Sequence, residues 1–344
     1  MKVLITGSKG QLGQCFKSLV GDNKNYIFTT RKEFDITNIN MMRDYLKDNK
    51  DIDVIINCAA YTDVKKCETE DGYQLAKLIN IEGVKNLATI CNEFNIFLIH
   101  FGTDYIYDDK CSRYFFSNSL INKQTDSNYP LNENVYNWRY FDEVFYEKFG
   151  LNLNKYGYTK MVGIKQLFNK MIFDEKKPNF IVIIVSWLFS EYGKNFVKTI
   201  YDKISKDRGS DLQVVNTQTG SPTYAMDLAR FIIDVIENNN GEFIPNPNNI
   251  IYHSADAIRW CLLNFTNLGC TTWFDFAKAI EFCTEKQTTN KILPRMMPFD
   301  DVKRPNYSVL DNTKLLTYYK NKNYVRHWLP ALKETIGKLD GEKH

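Results

Sequence analysis

Short runs of β-branched residues alternate with stretches of helical periodicity through the first half of this 344-residue chain. Strands are predicted at 2–6, 25–30, 53–58, 96–102 and 180–187, with amphipathic helices between them at 11–20, 38–48, 72–94 and 156–174. Strands such as Asp53-Val-Ile-Ile-Asn-Cys58 are apolar without alternation, which suits a parallel sheet covered on both faces. The expected fold class is therefore α/β: a doubly wound parallel sheet over 1–187, then a smaller lobe over 188–344, where the alternation weakens. Two stretches interrupt the pattern. Residues 109–155 are rich in Asn, Asp, Tyr and Phe and are too long for a plain connection. Residues 236–250 read as a solvated loop. A strand near 249–254 is expected to return to the main sheet, which would make the second lobe discontinuous.

The first strand runs directly into Gly7-Ser-Lys-Gly10-Gln-Leu-Gly13 and then into a helical pattern (Phe16, Leu19, Val20). Glycines at this spacing allow a tight turn, a close backbone approach to a pyrophosphate, and intimate packing of helix on strand. The helix N-terminus adds a favourable field for phosphate charge. A dinucleotide is expected across the carboxyl ends of strands one and four. A second strand that ends in Asp or Glu selects NAD by binding the adenosine ribose hydroxyls. Here Tyr26-Ile-Phe-Thr-Thr30 ends without an acid, and Arg31 and Lys32 follow. Arg31 could fork a 2′-phosphate, so NADPH is the expected cofactor, with NADH tolerated.

Composition narrows the remaining classes. With 44% hydrophobic and 25% charged residues and a net charge of +3, the chain has the make-up of a globular protein and no electrostatic case for nucleic acid or an anionic membrane. Its longest apolar runs are too short to span a bilayer. The glycine loop starts at residue 7, which leaves no room for a secretory leader, and a cytoplasmic location is expected. Eight cysteines form no C-x-x-C pair, and four histidines are scattered, so neither a disulfide frame nor a metal site is expected.

Three Tyr-x-x-x-Lys pairs occur, at Tyr61/Lys65, Tyr73/Lys77 and Tyr156/Lys160. Roughly two would arise by chance in a chain this rich in both residues, so context must separate them. Tyr156 opens the helix that follows the strand ending in Gly102-Thr103-Asp104-Tyr105. A spacing of four puts Tyr156 and Lys160 on one helix face. An ammonium near a phenol lowers its pKa, and Thr103 at the carboxyl end of its strand faces the ligand crevice. The set predicts a proton relay in which Tyr156 is the acid/base, Lys160 tunes it, and Thr103 bonds the substrate oxygen.

With these motifs in place, the chain resembles the extended short-chain dehydrogenase/reductases, and within them the dTDP-4-dehydrorhamnose reductase family. The matching stretches are Ile5–Gly13, Phe34-Asp-Ile-Thr37, Asn57-Cys-Ala-Ala-Tyr-Thr-Asp-Val64, Gly102–Tyr107 and Tyr156-Gly-Tyr-Thr-Lys160. Beyond the cofactor half they continue with Ser186-Trp-Leu-Phe189, Gly193-Lys-Asn-Phe-Val197, Thr217–Thr223 and Arg304-Pro-Asn-Tyr-Ser-Val-Leu-Asp311. The glycine loop and Tyr-x-x-x-Lys are shared by many reductases and dehydratases, so these last four stretches carry the specificity of the resemblance.

The resemblance implies a Rossmann-type fold. It implies that Gly7, Gly10, Gln11, Leu12 and Gly13 hold the pyrophosphate, that Asp35 and Ile36 flank the adenine, and that Ala59, Ala60 and Tyr61 line the dinucleotide near its ribose and phosphate. Thr103, Tyr156 and Lys160 would be catalytic, with Lys160 also bonding the nicotinamide ribose. Asp104, Tyr105, Trp187 and Asn195 would border a nucleotide-sugar substrate. Bland alternatives exist for some of these positions: Asp35 as a helix cap, Trp187 and Tyr105 as core. The implied reaction is NAD(P)H-dependent reduction of a 4-keto-6-deoxy sugar. Two rivals share the fold: a regulatory subunit of methionine adenosyltransferase type, and a sugar-nucleotide epimerase or dehydratase. The latter commonly has Asp-Glu after the threonine, where this chain has Asp104-Tyr105. Residues about 110–135 and 255–270 look inserted relative to the family. Some members dimerise through magnesium held by glutamates, one of them in the first helix. Cys15 stands there in this chain, so any homodimer is expected to lack that bridge.

Overall fold

A computed structural model describes residues 1–107, 153–171, 179–206, 209–238, 262–284, 291–318 and 323–341. Four runs of buried β-branched and aromatic residues make the central strands: β1 (Val3–Thr6), β3 (Val54–Asn57), β4 (Phe97–Thr103) and β5 (Phe180–Val185). With the edge strands β2 (Tyr26–Phe28) and β10 (Leu262–Asn264) they form one six-stranded sheet in the order β10-β5-β4-β3-β1-β2. All of its pairings are parallel, as the unbroken apolar runs predict. The strand order reverses between β1 and β3. The crevice at the reversal therefore opens between those two strands, with β4 one place further, and not between strands one and four as expected.

Helices cover both faces. On one side α2 (Ile39–Asp48), α4 (Gly83–Phe94) and α5 (Lys155–Met171) bury Leu4, Ile55, Leu98, Val182 and Ile184. On the other, α1 (Gln11–Val20) and α7 (Ala225–Asn238) lie over Val3, Ile5, Ile99 and Ile183. This second cluster continues without a break into α6 (Phe196–Ser205), α8 (Trp273–Thr284), α9 (Thr313–Tyr318) and α10 (Trp328–Gly341). Small strand pairs carry the rest of the C-terminal half: β6 (Leu188–Phe189) with β9 (Thr223–Tyr224), β7 (Leu212–Val215) with β12 (Ile292–Arg295), and β8 (Thr219–Gly220) between β11 (Thr271–Thr272) and β13 (Tyr307–Ser308).

Two sequence expectations change. The helix expected over 72–94 is α3 (Glu70–Lys77), a wide π turn at Leu78–Glu82, and then α4. The strand that completes the sheet is Leu262–Asn264, within the stretch read as inserted at 255–270; the strand expected at 249–254 and the insertion at 110–135 lie outside the described residues.

One close contact fixes the helix that carries the candidate acid. Gly163 of α5 sits against the π turn so tightly that a Cβ there would lie 1.9 Å from the Asn80 carbonyl oxygen. Asn80 is buried, and its side chain grips in three directions. Its Oδ1 accepts from Tyr61 N at 2.9 Å, and its Nδ2 donates to Tyr61 O at 3.0 Å and to Thr159 Oγ1 at 3.1 Å. The loop after β3 and the first turns of α5 are thereby set by one amide.

Candidate active site

The glycine loop has the geometry its spacing predicts. Gly7 has φ +61°, and an added Cβ would lie 2.7 Å from Ala59 N; at Gly13 it would lie 2.6 Å from Ser8 Cα. Gly10 caps α1 with no side-chain bond, and no acidic residue occupies the first turn. The N–H groups of Gln11, Leu12 and Gly13, at the first three helical positions, have no acceptor within the helix and so suit a diphosphate. Gln11 Nε2 is buried without a hydrogen-bond partner among the described residues, a further donor beside the loop. These residues fit a dinucleotide.

At the far end of that crevice Arg31 Nε bonds Asp35 Oδ2 at 2.8 Å, while the arginine side chain stays 69% exposed. Asp35 Oδ1 accepts from Thr37 N and Oγ1 at 2.9 and 2.7 Å. Burial opposes ionisation of Asp35, but Arg31 and Thr37 outweigh it and hold the carboxyl below its usual range. The cap of α2 is Asn38, so Asp35 does not cap the helix. Ile36 is buried against Gly83, while Ala59, Ala60 and Tyr61 are half-buried where β3 ends.

Thr103 closes β4 and caps the short turn Asp104–Ile106, where its hydroxyl accepts from Tyr105 N at 3.3 Å. Tyr156 opens α5. Asn154 starts that helix by accepting from Gly157 N at 2.7 Å, and its Nδ2 donates to Lys303 O at 2.7 Å. The Tyr156 phenol lies on the side of the Thr103 hydroxyl, which favours its charged form. Its ring meets the Tyr105 ring edge-on at 5.6 Å, with Tyr61 packed in the same cluster. One helical turn on, Lys160 is buried and its Nζ donates to Phe101 O at 2.7 Å. The structure thus gathers Thr103, Asp104, Tyr105, Tyr156 and Lys160 around the carboxyl end of β4.

The electrostatics of this group differ from the expectation. Burial raises the Tyr156 phenol above its ordinary value, and the Thr103 hydroxyl offsets this only in part. Burial likewise brings Lys160 down to about 8. A phenol held neutral is a proton donor awaiting charge on its acceptor, which suits a reduction better than a resident phenolate does.

Two of the expected substrate residues have other partners in view. Trp187 adopts φ +46°, stacks on Trp273 with ring centroids 3.5 Å apart, and lies against Gly220. Asn195 caps α6: its Oδ1 accepts from Lys198 N at 3.1 Å and its Nδ2 donates to Ser190 O and Tyr192 O. Its place in Gly193-Lys-Asn-Phe is a helix-start signal that the sequence reading passed over.

Other residues of the site were missed. Arg304 pairs with Asp300, Nη2 to Oδ2 at 3.1 Å, and reaches the Tyr105 phenol. That pair divides two clefts. One, of ≈390 Å³, is lined by Tyr107, Asn154, Asp301 and Lys303. The other, of ≈470 Å³, is lined by Phe196, Lys203, Gln213 and Trp273. Both share Tyr105, Gln218, Asp300 and Arg304. Beneath the sheet ends, Thr6 Oγ1 donates to Asn57 Oδ1 at 2.7 Å, and Asn57 Nδ2 meets His100 Nδ1 at 3.0 Å. Only the polar residues interrupting apolar strands could have signalled this link. Among the described residues no cluster of metal-binding side chains occurs and no helix is long and apolar enough to cross a membrane.

Comparison with known proteins agrees with this geometry. The family model for the RmlD substrate binding domain matches residues 1–136 and 150–340. A dTDP-4-dehydrorhamnose reductase from Aggregatibacter actinomycetemcomitans is 32% identical over 91% of this chain and 92% of its own length. The crystal structure of a dTDP-4-dehydrorhamnose reductase from Clostridium acetobutylicum is 31% identical and superposes with a TM-score of 0.71 over 99% of this chain and all of that one. A third, from Bacillus anthracis in complex with NADP, shares the fold at 24% identity and a TM-score of 0.72, over 98% of this chain and 100% of that chain. The match spans both halves of the chain, including the stretches around Trp187, Gln218 and Arg304, and the protein belongs to the dTDP-4-dehydrorhamnose reductase family.

Proposed function

We propose that the chain reduces the 4-keto group of a nucleotide-linked 4-keto-6-deoxy sugar with NAD(P)H, as a dTDP-4-dehydrorhamnose reductase does. It is an oxidoreductase of sugar nucleotides. The observation that carries the reading is the convergence of Thr103, Tyr156 and Lys160 at the carboxyl end of β4, one strand from the glycine loop's crevice.

A bound nicotinamide cofactor supplies hydride to the carbonyl carbon. Gly7, Gly10, Gln11, Leu12 and Gly13 hold its diphosphate through backbone N–H groups, with Ala59, Ala60 and Tyr61 alongside and Asp35 and Ile36 towards the adenine. Tyr156, neutral because it is buried, gives its proton to the carbonyl oxygen. Lys160 supplies positive charge behind the phenol, and Thr103 hydrogen-bonds the same oxygen. Asp104, Tyr105, Trp187 and Asn195 border the sugar nucleotide. NADPH is preferred over NADH because Arg31 keeps an exposed guanidinium beside the adenosine end while Asp35 draws only on its Nε.

The protein acts in the cytoplasm, and if it pairs with a second copy it does so without a magnesium bridge. In support, Cys15 is fully buried beside Ser190 and Glu191, and the Glu191 carboxylate is held by Lys338 at 2.8 Å. Purified protein incubated with NADPH and a panel of dTDP-, UDP- and GDP-linked 4-keto-6-deoxy sugars should show loss of cofactor absorbance with at least one. Oxidation with none of them would refute the reading.

A further inference from the structure

A threonine hydroxyl has one proton to give, and at Thr103 several groups compete for it. The hydroxyl donates to Asp104 Oδ1 at 3.1 Å. It also influences the Tyr156 phenol, and under the reductase reading it must serve the substrate oxygen as well. Asp104 is 2% exposed, and its Oδ2 has no hydrogen-bond partner among the described residues. A carboxylate with a bare buried oxygen is strongly disfavoured, whereas the neutral acid tolerates it. Ser308, brought from β13 in the C-terminal half, presents its hydroxyl on the side of the carboxyl and favours its charged form. Burial outweighs Ser308 and Thr103, and the carboxyl is pushed up to about 7. The ionisable groups around it are the phenols of Tyr105 and Tyr156, then Lys160 on α5, and Arg304 with its partner Asp300 across Tyr105.

We propose that Asp104 is a positioning residue whose proton sets the direction of the Thr103 hydroxyl. When Asp104 is protonated, its O–H donates to Thr103 Oγ1, and Thr103 turns its own proton towards the substrate carbonyl. When Asp104 is ionised, it claims that proton and Thr103 can only accept. The proton lost on ionisation goes to solvent, and the stoichiometry of the reduction is untouched: hydride to carbon, the Tyr156 proton to oxygen. Through Ser308, the strand that follows Arg304 bears on the same carboxyl and so on Thr103. This inference rests on the reductase reading.

The test is the pH profile of kcat at saturating NADPH and sugar nucleotide. In the wild type, kcat should break near 7 and fall by about tenfold per unit above it, as expected when one protonated group is required. Asp104→Asn carries an amide that does not titrate, so whatever its absolute rate, its kcat profile should lose the break near 7. Ser308→Ala removes a hydroxyl that favours the charged form and should move the break to higher pH. A break that survives in Asp104→Asn, or that stays fixed in Ser308→Ala, would overturn the proposal. Should Asp104→Asn fail to fold, as judged by its thermal transition, the direction of the Ser308→Ala shift decides. Carbon-13 NMR of labelled aspartate carboxyls reads the Asp104 titration without turnover. A wild-type chain that reduces no sugar therefore removes the reductase reading, and the spectrum alone then judges whether Asp104 titrates near 7, as it must.

Discussion

Substituting Gly163 by alanine would place a methyl group 1.9 Å from the Asn80 carbonyl oxygen, and that oxygen belongs to backbone. Ordinary carbon–oxygen contact needs a separation of more than 3 Å, so α5 and the π turn must part by about 1 Å or more. Overpacking of this kind costs about 1–3 kcal/mol, while alanine in place of a mid-helix glycine returns about 1 kcal/mol through propensity. The net loss is up to about 2 kcal/mol, or a fall of up to roughly 8 °C in Tm at about 2–4 °C per kcal/mol. Activity should suffer more. Tyr156 and Lys160 ride on α5, and Asn80 ties that helix to the Tyr61 loop, so a shift of about 1 Å misplaces the donor and costs about 10²-fold in kcat/KM. Gly337 of α10 is the control: a Cβ there meets nothing within 4 Å, so Gly337→Ala should raise stability slightly and leave kcat unchanged. Calorimetry and steady-state NADPH oxidation on both variants measure the difference. If Gly163→Ala matched Gly337→Ala in both assays, the contact would not be holding the helix.

Further expectations concern single groups. Tyr156→Phe keeps the ring and removes the proton, so kcat should fall by at least ~10²-fold with NADPH affinity, read by fluorescence quenching, nearly intact. Arg31→Ala should erase the preference for NADPH in the ratio of kcat/KM values for the two cofactors; an unchanged ratio would take Arg31 out of the site. Despite the cost of burial, the bonds from Arg230 and Arg326 bring the Glu334 carboxyl down to about 2. A depressed folded-state pKa gives stability that is full above the unfolded value, near 4.5, and lost as pH falls towards 2. Glu334→Gln should flatten the Tm-against-pH curve in that window.

Where sequence and structure agree, a single local cause suffices. Gly7, Gly10 and Gly13 are demanded by the turn itself, and the β-branched runs of β1, β3, β4 and β5 can only be buried strands. Tyr156 and Lys160 share a helix face by spacing alone. What the sequence hid depends on partners distant along the chain. Asn80 reads as one more polar helix residue until the π turn aims it at Tyr61 and Thr159. Trp260-Cys-Leu-Leu-Asn-Phe suits helix or strand equally, and pairing with β5 decides it for Leu262–Asn264. The Tyr156 phenol was expected to be lowered by Lys160, because proximity can be read from spacing while burial cannot.

The late arrival of β10 bears on how the protein is made. Its Leu262, Leu263 and Asn264 pair with Val182, Ile183 and Ile184, and Phe265 N adds a bond to Ile184 O at 2.9 Å. As the nascent chain leaves the ribosome, β5 emerges first, as Phe180-Ile-Val-Ile-Ile-Val185: six apolar residues with no charge and no proline. Such a segment with an open edge templates pairing with other chains. At about 5–20 residues per second, translation leaves that edge uncovered for roughly 4–15 s, and α7 reaches the sheet's face within the same interval. The first 187 residues hold the glycine loop and all three proposed catalytic groups, yet on their own they would carry an adhesive strand bare.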